Sequence, residues 1–449
     1  MNDGARAPVP PVRLGPAYRA AALDRLCGGE VDVLVVGGGV VGAGAALDAA
    51  SRGLSVAVVE ARDWAVGTSS RSSKLIHGGL RYLEQLDFRL VFEALKERRL
   101  LLNRLAPHLV RPVRFLFPLR HRAWERGYAG AGVLLYDLLG RTGNLPRHRH
   151  LSRTAALGEA PGLDPRALVG AIEFHEAQVD DARHTMMLAR TAAQHGATVL
   201  TGTRVTGLLR DGERVTGAVV RDEESGAELR VRARSVIGAT GVWTDQLHAA
   251  AGVTAPFRVQ MSKGVHFLVR RERLDLGSGL IMRTEKSVLF VIPWDRHWII
   301  GTTDTPWDEA PDHPTATDAD ICYLLEHVNQ VLAKPLTRDD VVGVYAGLRP
   351  LLAGAAGQNT ARLSREHAVA EPAPGLYVVA GGKYTTYRVM AADIVDAAVA
   401  SFGRAAPRSL TEHLPLVGAL GFHELWDDRY AVARAAGLEV ATVERLLRR

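Results

Sequence analysis

A chain of 449 residues exceeds what one ordinary hydrophobic core supports, so two interleaved domains are expected. With 47% apolar and 23% charged residues it folds as a globule, and two cysteines far apart in sequence, Cys27 and Cys322, exclude a disulfide framework and fit a reducing, cytoplasmic compartment. The balance of 55 basic and 49 acidic residues, net +6, is modest, and neither a signal-peptide h-region nor an eighteen-residue uncharged stretch is present, so neither export nor a membrane span is expected.

Residues 1–29 form a Pro-containing N-terminal extension. VDVLVVGGGVVGAGAALDAASRGLSVAVVE, residues 31–60, reads as a buried strand, a Gly-rich turn, an Ala-rich helix and a second strand, one βαβ unit. A polar loop, TSSRSSKLIHGGLRYLE, follows at 68–84, then a helical stretch carrying Leu90, Ala94, Leu95, Leu101, Leu102 and Leu105. Residues 98–153 hold twelve arginines against Glu125 and Asp137, interleaved with Phe115, Leu116, Phe117, Trp124 and Tyr136. That pattern suits an anionic membrane surface, and equally a solvated basic face or a field for an anionic substrate. Nucleic acid is not expected, because no recognised binding module accompanies the block.

From 199 to 240 the period changes to two, broken by Asp211-Gly212 and Ser225-Gly226, which predicts a small antiparallel meander. It ends in RSVIGATG, an apolar strand returning to the parallel sheet. HFLVR, SVLFVIPW and HWIIGTTD predict a second sheet, and residues 375–399 are again strand, Gly turn and helix. The last forty residues read as helical and stop within an amphipathic pattern, so the C-terminal segment is expected to be truncated.

In Gly37-x-Gly39-x-x-Gly42 the first glycine permits a tight turn, the second admits a pyrophosphate and the third lets helix and strand pack closely. The helix N-terminus then meets the phosphate charge. Glu60, eighteen residues after Gly42, would accept from a ribose 2′-OH and repel a 2′-phosphate, which favours FAD or NAD over NADP. FAD is preferred over NAD because no second fingerprint is present: neither Gly238/Gly241 nor Gly381/Gly382 has the spacing. A flavin reduced directly by a small substrate needs only one.

TSSRSSKLIHGGLRYLEQLDFRLVFEAL closely resembles the flavin-dependent glycerol-3-phosphate dehydrogenases, and the resemblance continues through APHLVRPVRF, YDLLG, VDDAR, ATGVWT, FVIPW, IIGTTD, LSREH and GGKYTTYR, about residues 30–415. It implies an α/β fold with a glutathione-reductase-type FAD-binding Rossmann domain, a mixed-sheet substrate-cap domain and a C-terminal helical part, here short. The expected division is FAD-binding parts at about 30–110, 170–250 and 345–400, cap parts at about 111–169 and 251–344, and a helical segment at 401–449. The implied reaction oxidises sn-glycerol 3-phosphate to dihydroxyacetone phosphate and passes electrons to a quinone at the inner membrane face. A peripheral contact with anionic membrane and a homodimer are left open.

Such chemistry requires a base, a path to the flavin and a cationic phosphate clamp. On the resemblance, Arg349 and Arg365 contact the phosphate, Arg81 and Tyr82 contact substrate, and Thr302 hydrogen-bonds it. His77 and His266 are candidate bases, although a lone histidine is more often structural, and Lys383 lies beside flavin and substrate. Thr68, Ser69, Ser73, Lys74, Ala239, Gly241, Gly381, Gly382 and Thr385 complete the expected cofactor contacts with Gly37, Gly39, Gly42 and Glu60. No metal site is expected. The Ala/Gly-rich segment between Arg349 and Arg365 departs from the family pattern. Competing readings are an oxidase that releases hydrogen peroxide and a non-catalytic FAD-binding protein.

Overall fold

The computed structural model describes residues 12–78, 87–121, 130, 145–253, 257–285, 288–353, 366–403 and 407–449. The chain opens with α1 (Pro16–Cys27), β1 (Glu30–Val36), α2 (Val40–Ser51) and β2 (Val56–Val59). Valine and leucine favour the strands by packing on a pleated surface, and the alanines of α2 let it lie close on them. After β3 (Leu75–Ile76), α3 (Phe88–Leu100) is capped by the Asp87 carboxylate, which accepts from the Leu90 N–H. Then come β4 (Val110–Leu119), β5 (Arg149–Ser152), α4 (Arg153–Glu159), β6 (Gly170–Val179) and α5 (Asp181–Gln194), whose N-cap is Asp180.

β7 (Thr198–Leu200), β8 (Thr203–Asp211), β9 (Arg214–Asp222) and β10 (Glu228–Gly238) follow, with α6 (Thr244–Ala251) after them. The remaining strands are β11 (Val259–Arg270), β12 (Gly279–Arg283), β13 (Val288–Trp294), β14 (His297–Gly301), β15 (Thr305–Trp307), β16 (Val341–Leu352), β17 (His367–Ala373) and β18 (Leu376–Gly381). Between β15 and β16 lies α7 (Asp318–Asn329); α8 (Tyr387–Ala400) and the short α9 (Phe422–Asp427), α10 (Arg429–Ala436) and α11 (Val440–Leu447) end the chain.

These strands form two sheets. The first runs β17-β18-β10-β1-β2-β7, with β1 parallel to both β10 and β2, and β8 and β9 extend it as the expected antiparallel meander. α2 packs between α5 and α8 over a core that includes Val33, Val35, Ala43, Ala46 and Ile394, all fully buried. The second sheet runs β15-β11-β14-β13-β12-β4-β6-β3, with β16 on β11 and β5 on β6. β6 and β16 run in this sheet, and Phe174 and Glu176 of β6 and Gly347 to Leu351 of β16 reach the cavity between the sheets. Together these layers give the α/β dinucleotide domain with a mixed-sheet partner.

Much of the basic block is spent within the fold. Arg98 pairs with the buried Glu176 at 2.6 Å, Arg114 with Glu159 and Glu173, Arg149 with Glu173, and Arg111 with the Gln178 side chain. Residues 122–129 and 131–144 of the block lie outside the described residues. No helix among the described residues is long and apolar enough to cross a membrane. The segment after α8 is held by the buried Arg388, which bridges Glu97 at 2.6 Å and Glu412 at 3.2 Å.

Two histidines, His108 and His184, are buried in the fold. His184 of α5 hydrogen-bonds the Tyr384 hydroxyl at 3.0 Å, and His108 packs against Phe422 and Gly418. Burial pushes His108 down to about 4 and His184 to about 3, so both fold neutral. In the unfolded chain each titrates near 6.5, so the unfolded state binds more protons between the two values and stability is lost as pH falls. His108 alone should cost about 3 kcal/mol between pH 6.5 and pH 4. Urea midpoints measured across that window should fall steeply for the parent protein and less steeply for His108→Leu; parallel slopes would refute the assignment.

Candidate functional site

Three backbones converge where β1 ends. Gly37 has φ of 112°, a conformation that only glycine adopts readily, and a Cβ there would sit 2.6 Å from the Ala239 carbonyl oxygen. A Cβ at Gly42 would overlap the Gly37 carbonyl, so α2 can cross this close only with glycine at the position. Gly39 is the N-cap of α2 and has open space beside it, with only the Ser69 hydroxyl at 3.4 Å. That hydroxyl accepts from the Val40 N–H at 2.9 Å, and Gly38, Gly39, Val40 and Val41 at the helix start line a cavity. Glu60 closes the turn: its carboxylate accepts from Gly38 N–H at 2.7 Å and Arg62 N–H at 2.9 Å.

The cavity has a volume of about 740 Å3. Its lining runs from β8 and α6 at one end, past Gly37, Gly39, Glu60, Ala239 and Gly241, to His266, Thr302 and Arg349 at the other. Thr68, Ser69, Ser73, His77, Gly381, Gly382, Lys383 and Thr385 complete the wall. The glycine turn at a helix N-terminus, with a carboxylate closing the second strand, fits an extended dinucleotide whose pyrophosphate lies on α2. Gly42 shapes the crossing from behind, outside the lining.

Lys74 is placed differently from the sequence expectation. With φ of 57° its side chain turns out of the cavity lining onto the fully buried Asp181 and the Ser70 carbonyl. Arg81, Tyr82 and Arg365 lie outside the described residues.

At the far end, β11 shows two faces. Val265 and Phe267 point into the core, and Lys263 pairs with Asp320 of α7 at 2.7 Å. Ser262, Gly264 and His266 alternate to the other side, directly opposite Arg349, Gly347 and Tyr345 of β16. The His266 ring stacks on Tyr345 with centroids 4.8 Å apart and lies against Gly301, where a Cβ would overlap it. Its Nε2 is 2.8 Å from the Ser73 hydroxyl, whereas its Nδ1 is buried with no hydrogen-bond partner. Burial above all, and then the charges of Arg349 and Lys74, push the His266 ring down to about 3, so it is neutral at physiological pH.

Arg349 donates to Thr302 Oγ1 at 3.0 Å, Thr303 O at 3.1 Å and Ser262 Oγ at 3.4 Å. Thr385 exchanges hydrogen bonds with the His77 backbone at 3.3 Å, which ties the Gly381-Gly382 turn to the end of the Ser-rich loop. Sequence reasoning missed Asp181, Tyr345, Ser262 and Asp304; VDDAR and GTTD marked two of them without showing what they hold.

The family description "DAO: FAD dependent oxidoreductase" matches residues 32–396. The chain is 57% identical over 440 residues to glycerol-3-phosphate dehydrogenase 2 of Mycobacterium bovis, covering 98% of this chain and 75% of that protein, and 56% identical over 440 residues to glycerol-3-phosphate dehydrogenase of Mycobacterium leprae. The crystal structure of glycerol-3-phosphate dehydrogenase from Bacillus halodurans complexed with FAD superposes with a TM-score of 0.79 at 30% identity, covering 96% of this chain and 77% of that one.

The two inner glycines should separate by experiment. Gly39→Asp has room in the protein but puts a carboxylate where phosphate charge would lie, so FAD affinity should fall by at least about 100-fold while apo stability stays within about 0.5 kcal/mol. Gly42→Ala should instead destabilise the apo protein by on the order of 1–3 kcal/mol through overpacking. Flavin absorbance per protein and apo urea unfolding check both; retained flavin in Gly39→Asp would sink the pyrophosphate placement.

Proposed function

The chain belongs to the FAD-dependent oxidoreductase family, and from that premise we propose that it oxidises sn-glycerol 3-phosphate to dihydroxyacetone phosphate and passes the electrons to a quinone. The observation that carries the substrate is Arg349, a guanidinium held by three oxygens at the end of the cofactor cavity, on the same strand-pair face as His266. Its planar fork suits two phosphate oxygens at once.

In this reading Gly37 and Gly39 admit the FAD pyrophosphate to the α2 N-terminus, with Glu60 on the ribose. Thr68, Ser69, Ser73, Ala239, Gly241, Gly381, Gly382 and Thr385, which line the cavity, would hold the rest of the cofactor. Bound FAD supplies the two-electron acceptor. Arg349, with Arg81, Tyr82 and Arg365, fixes the phosphate, and Thr302 orients the substrate. His266 takes the C2 hydroxyl proton, with His77 as the alternative. The Tyr345 stack holds the neutral His266 ring in a fixed position at the cavity wall. Lys383 stabilises negative charge developing beside the flavin. The quinone and a peripheral contact with anionic membrane belong to the same proposal. Phe88 and Phe92, 44% and 56% exposed on one face of α3, are followed there by Lys96, which pairs with Glu412, and by Arg99, an apolar pair with a basic flank suited to an anionic lipid surface.

The direct test is anaerobic bleaching of the flavin spectrum on adding glycerol 3-phosphate, followed by reoxidation with a quinone analogue; peroxide release in air would mark an oxidase instead. Arg349→Ala should lose about 2–4 kcal/mol of transition-state binding, roughly 30- to 1000-fold in kcat/KM, with FAD retained. It should also discriminate far less between glycerol 3-phosphate and glycerol, and Arg349→Lys should recover only part of the loss. Wild-type kcat/KM for glycerol 3-phosphate in Arg349→Ala would remove this residue from the site.

A further inference from the structure

We propose that Gly264, Ser262 and Asp304 are the residues that position the Arg349 guanidinium and thereby set the preference for a phosphorylated over an unphosphorylated polyol. The inference rests on the reading of Arg349 as the phosphate contact.

Ser262 stands directly across from Arg349 in the β11/β16 ladder, and Gly264 lies two residues further along the same face. An ideal Cβ at Gly264 would come within 2.5 Å of Arg349 Nη2, 2.8 Å of its Cζ and 2.7 Å of Thr302 Oγ1. The guanidinium therefore lies across β11 in the space that any other side chain would fill. Asp304, at the end of the β14–β15 link, accepts a hydrogen bond from the fully buried Ser262 hydroxyl. Its own carboxylate is 3.8 Å from Arg349 Nη1 and only 2% exposed.

The seat thus draws on three neighbouring segments: β11 gives the gap and the serine, the β14–β15 link gives Thr302, Thr303 and Asp304, and β16 carries the arginine. A long side chain held this way before substrate arrives has less rotamer freedom to lose on binding phosphate. Gly264 matters through the methyl it lacks, so spacing arguments on charged or nucleophilic residues pass it by. The atoms that Gly264→Ala would meet are the ends of side chains, and no left-handed φ is required at the position. Relief therefore comes from displacing the guanidinium and the Thr302 hydroxyl on which it rests rather than the strand.

The experiment measures kcat and KM for glycerol 3-phosphate and for glycerol in the FAD-loaded variants Gly264→Ala, Ser262→Ala, Asp304→Asn and Arg349→Ala. The Kd of inorganic phosphate is read in parallel from perturbation of the flavin absorbance. Gly264→Ala and Asp304→Asn should raise both the KM for glycerol 3-phosphate and the phosphate Kd by on the order of 10-fold, and Ser262→Ala by about 3-fold. Glycerol turnover should fall by much less than glycerol 3-phosphate turnover, and none of the three should add to the loss once Arg349 is alanine. Unchanged KM and phosphate Kd in Gly264→Ala and Asp304→Asn, with discrimination lost in Arg349→Ala, overturn the positioning role and leave the phosphate reading standing. Equal losses on both polyols also overturn it. Wild-type behaviour of Arg349→Ala removes the phosphate reading itself. Should Asp304→Asn lose its flavin, Gly264→Ala carries the test alone.

Discussion

The site depends on one steric constraint: at the end of β1 the turn, the following helix and the β10 return meet too closely for a single methyl group. Gly42 faces the Gly37 carbonyl, and Gly37 faces the Ala239 carbonyl, with no room for a Cβ at either glycine. Because β10 and β2 flank β1 in parallel register, this crossing fixes where the α2 N-terminus points. It also sets Glu60, at the end of β2, within hydrogen-bonding distance of the Gly38 amide. The anion-binding end of a helix and the carboxylate beside it follow from the absence of two side chains.

The second sheet is joined to this crossing by a buried carboxylate. Asp181, fully buried at the start of α5, accepts from Lys74 Nζ and from the Ser72 backbone and hydroxyl, while its backbone carbonyl accepts from Tyr384 OH at 2.9 Å. Burial pushes the Asp181 carboxyl up, and the neighbouring Lys74 charge opposes that shift. An isolated buried carboxylate would cost several kcal/mol, so ionisation here depends on the Lys74 and Ser72 donors being in place. The same donors set the Ser70 to Lys74 loop, from which Ser73 reaches His266, and Tyr384 follows directly on Lys383. One residue thereby fixes both flanks of the cavity, and no atom of it contacts the cavity itself.

The βαβ unit, the meander and the Gly381-Gly382 turn were legible because each is written in local spacing: Gly37, Gly39 and Gly42 within six residues, Asp211-Gly212 at a reversal. The seat of Arg349 and the Asp181 joint were not. Lys74 is 107 residues from Asp181, Ser262 is 42 from Asp304 and 87 from Arg349, and only the folded ladder brings them together. Lys74 shows the limit from the other side. Its place in a Ser-rich loop after the fingerprint suggested a cofactor contact, but a left-handed backbone turns its charge to a carboxylate that sequence could not locate. Gly264 carried no signal at all, since a glycine in an apolar strand reads as a weak strand residue until an arginine is found lying over it.

Under the proposed reading, clamp and base are one electrostatic unit. The Arg349 charge is the second cause, after burial, of the low proton affinity of His266. A phosphate dianion on Arg349 would offset that second cause, while burial, the larger one, would remain. A substrate lacking phosphate loses the binding contact. Binding energy at the far end of a three-carbon molecule is thereby expressed at the proton being removed, which is how interactions remote from the reacting carbon raise turnover as well as affinity. The Tyr345 stack and the Gly301 gap hold the ring in place, so the clamp and the base keep a fixed spacing across the β11/β16 face.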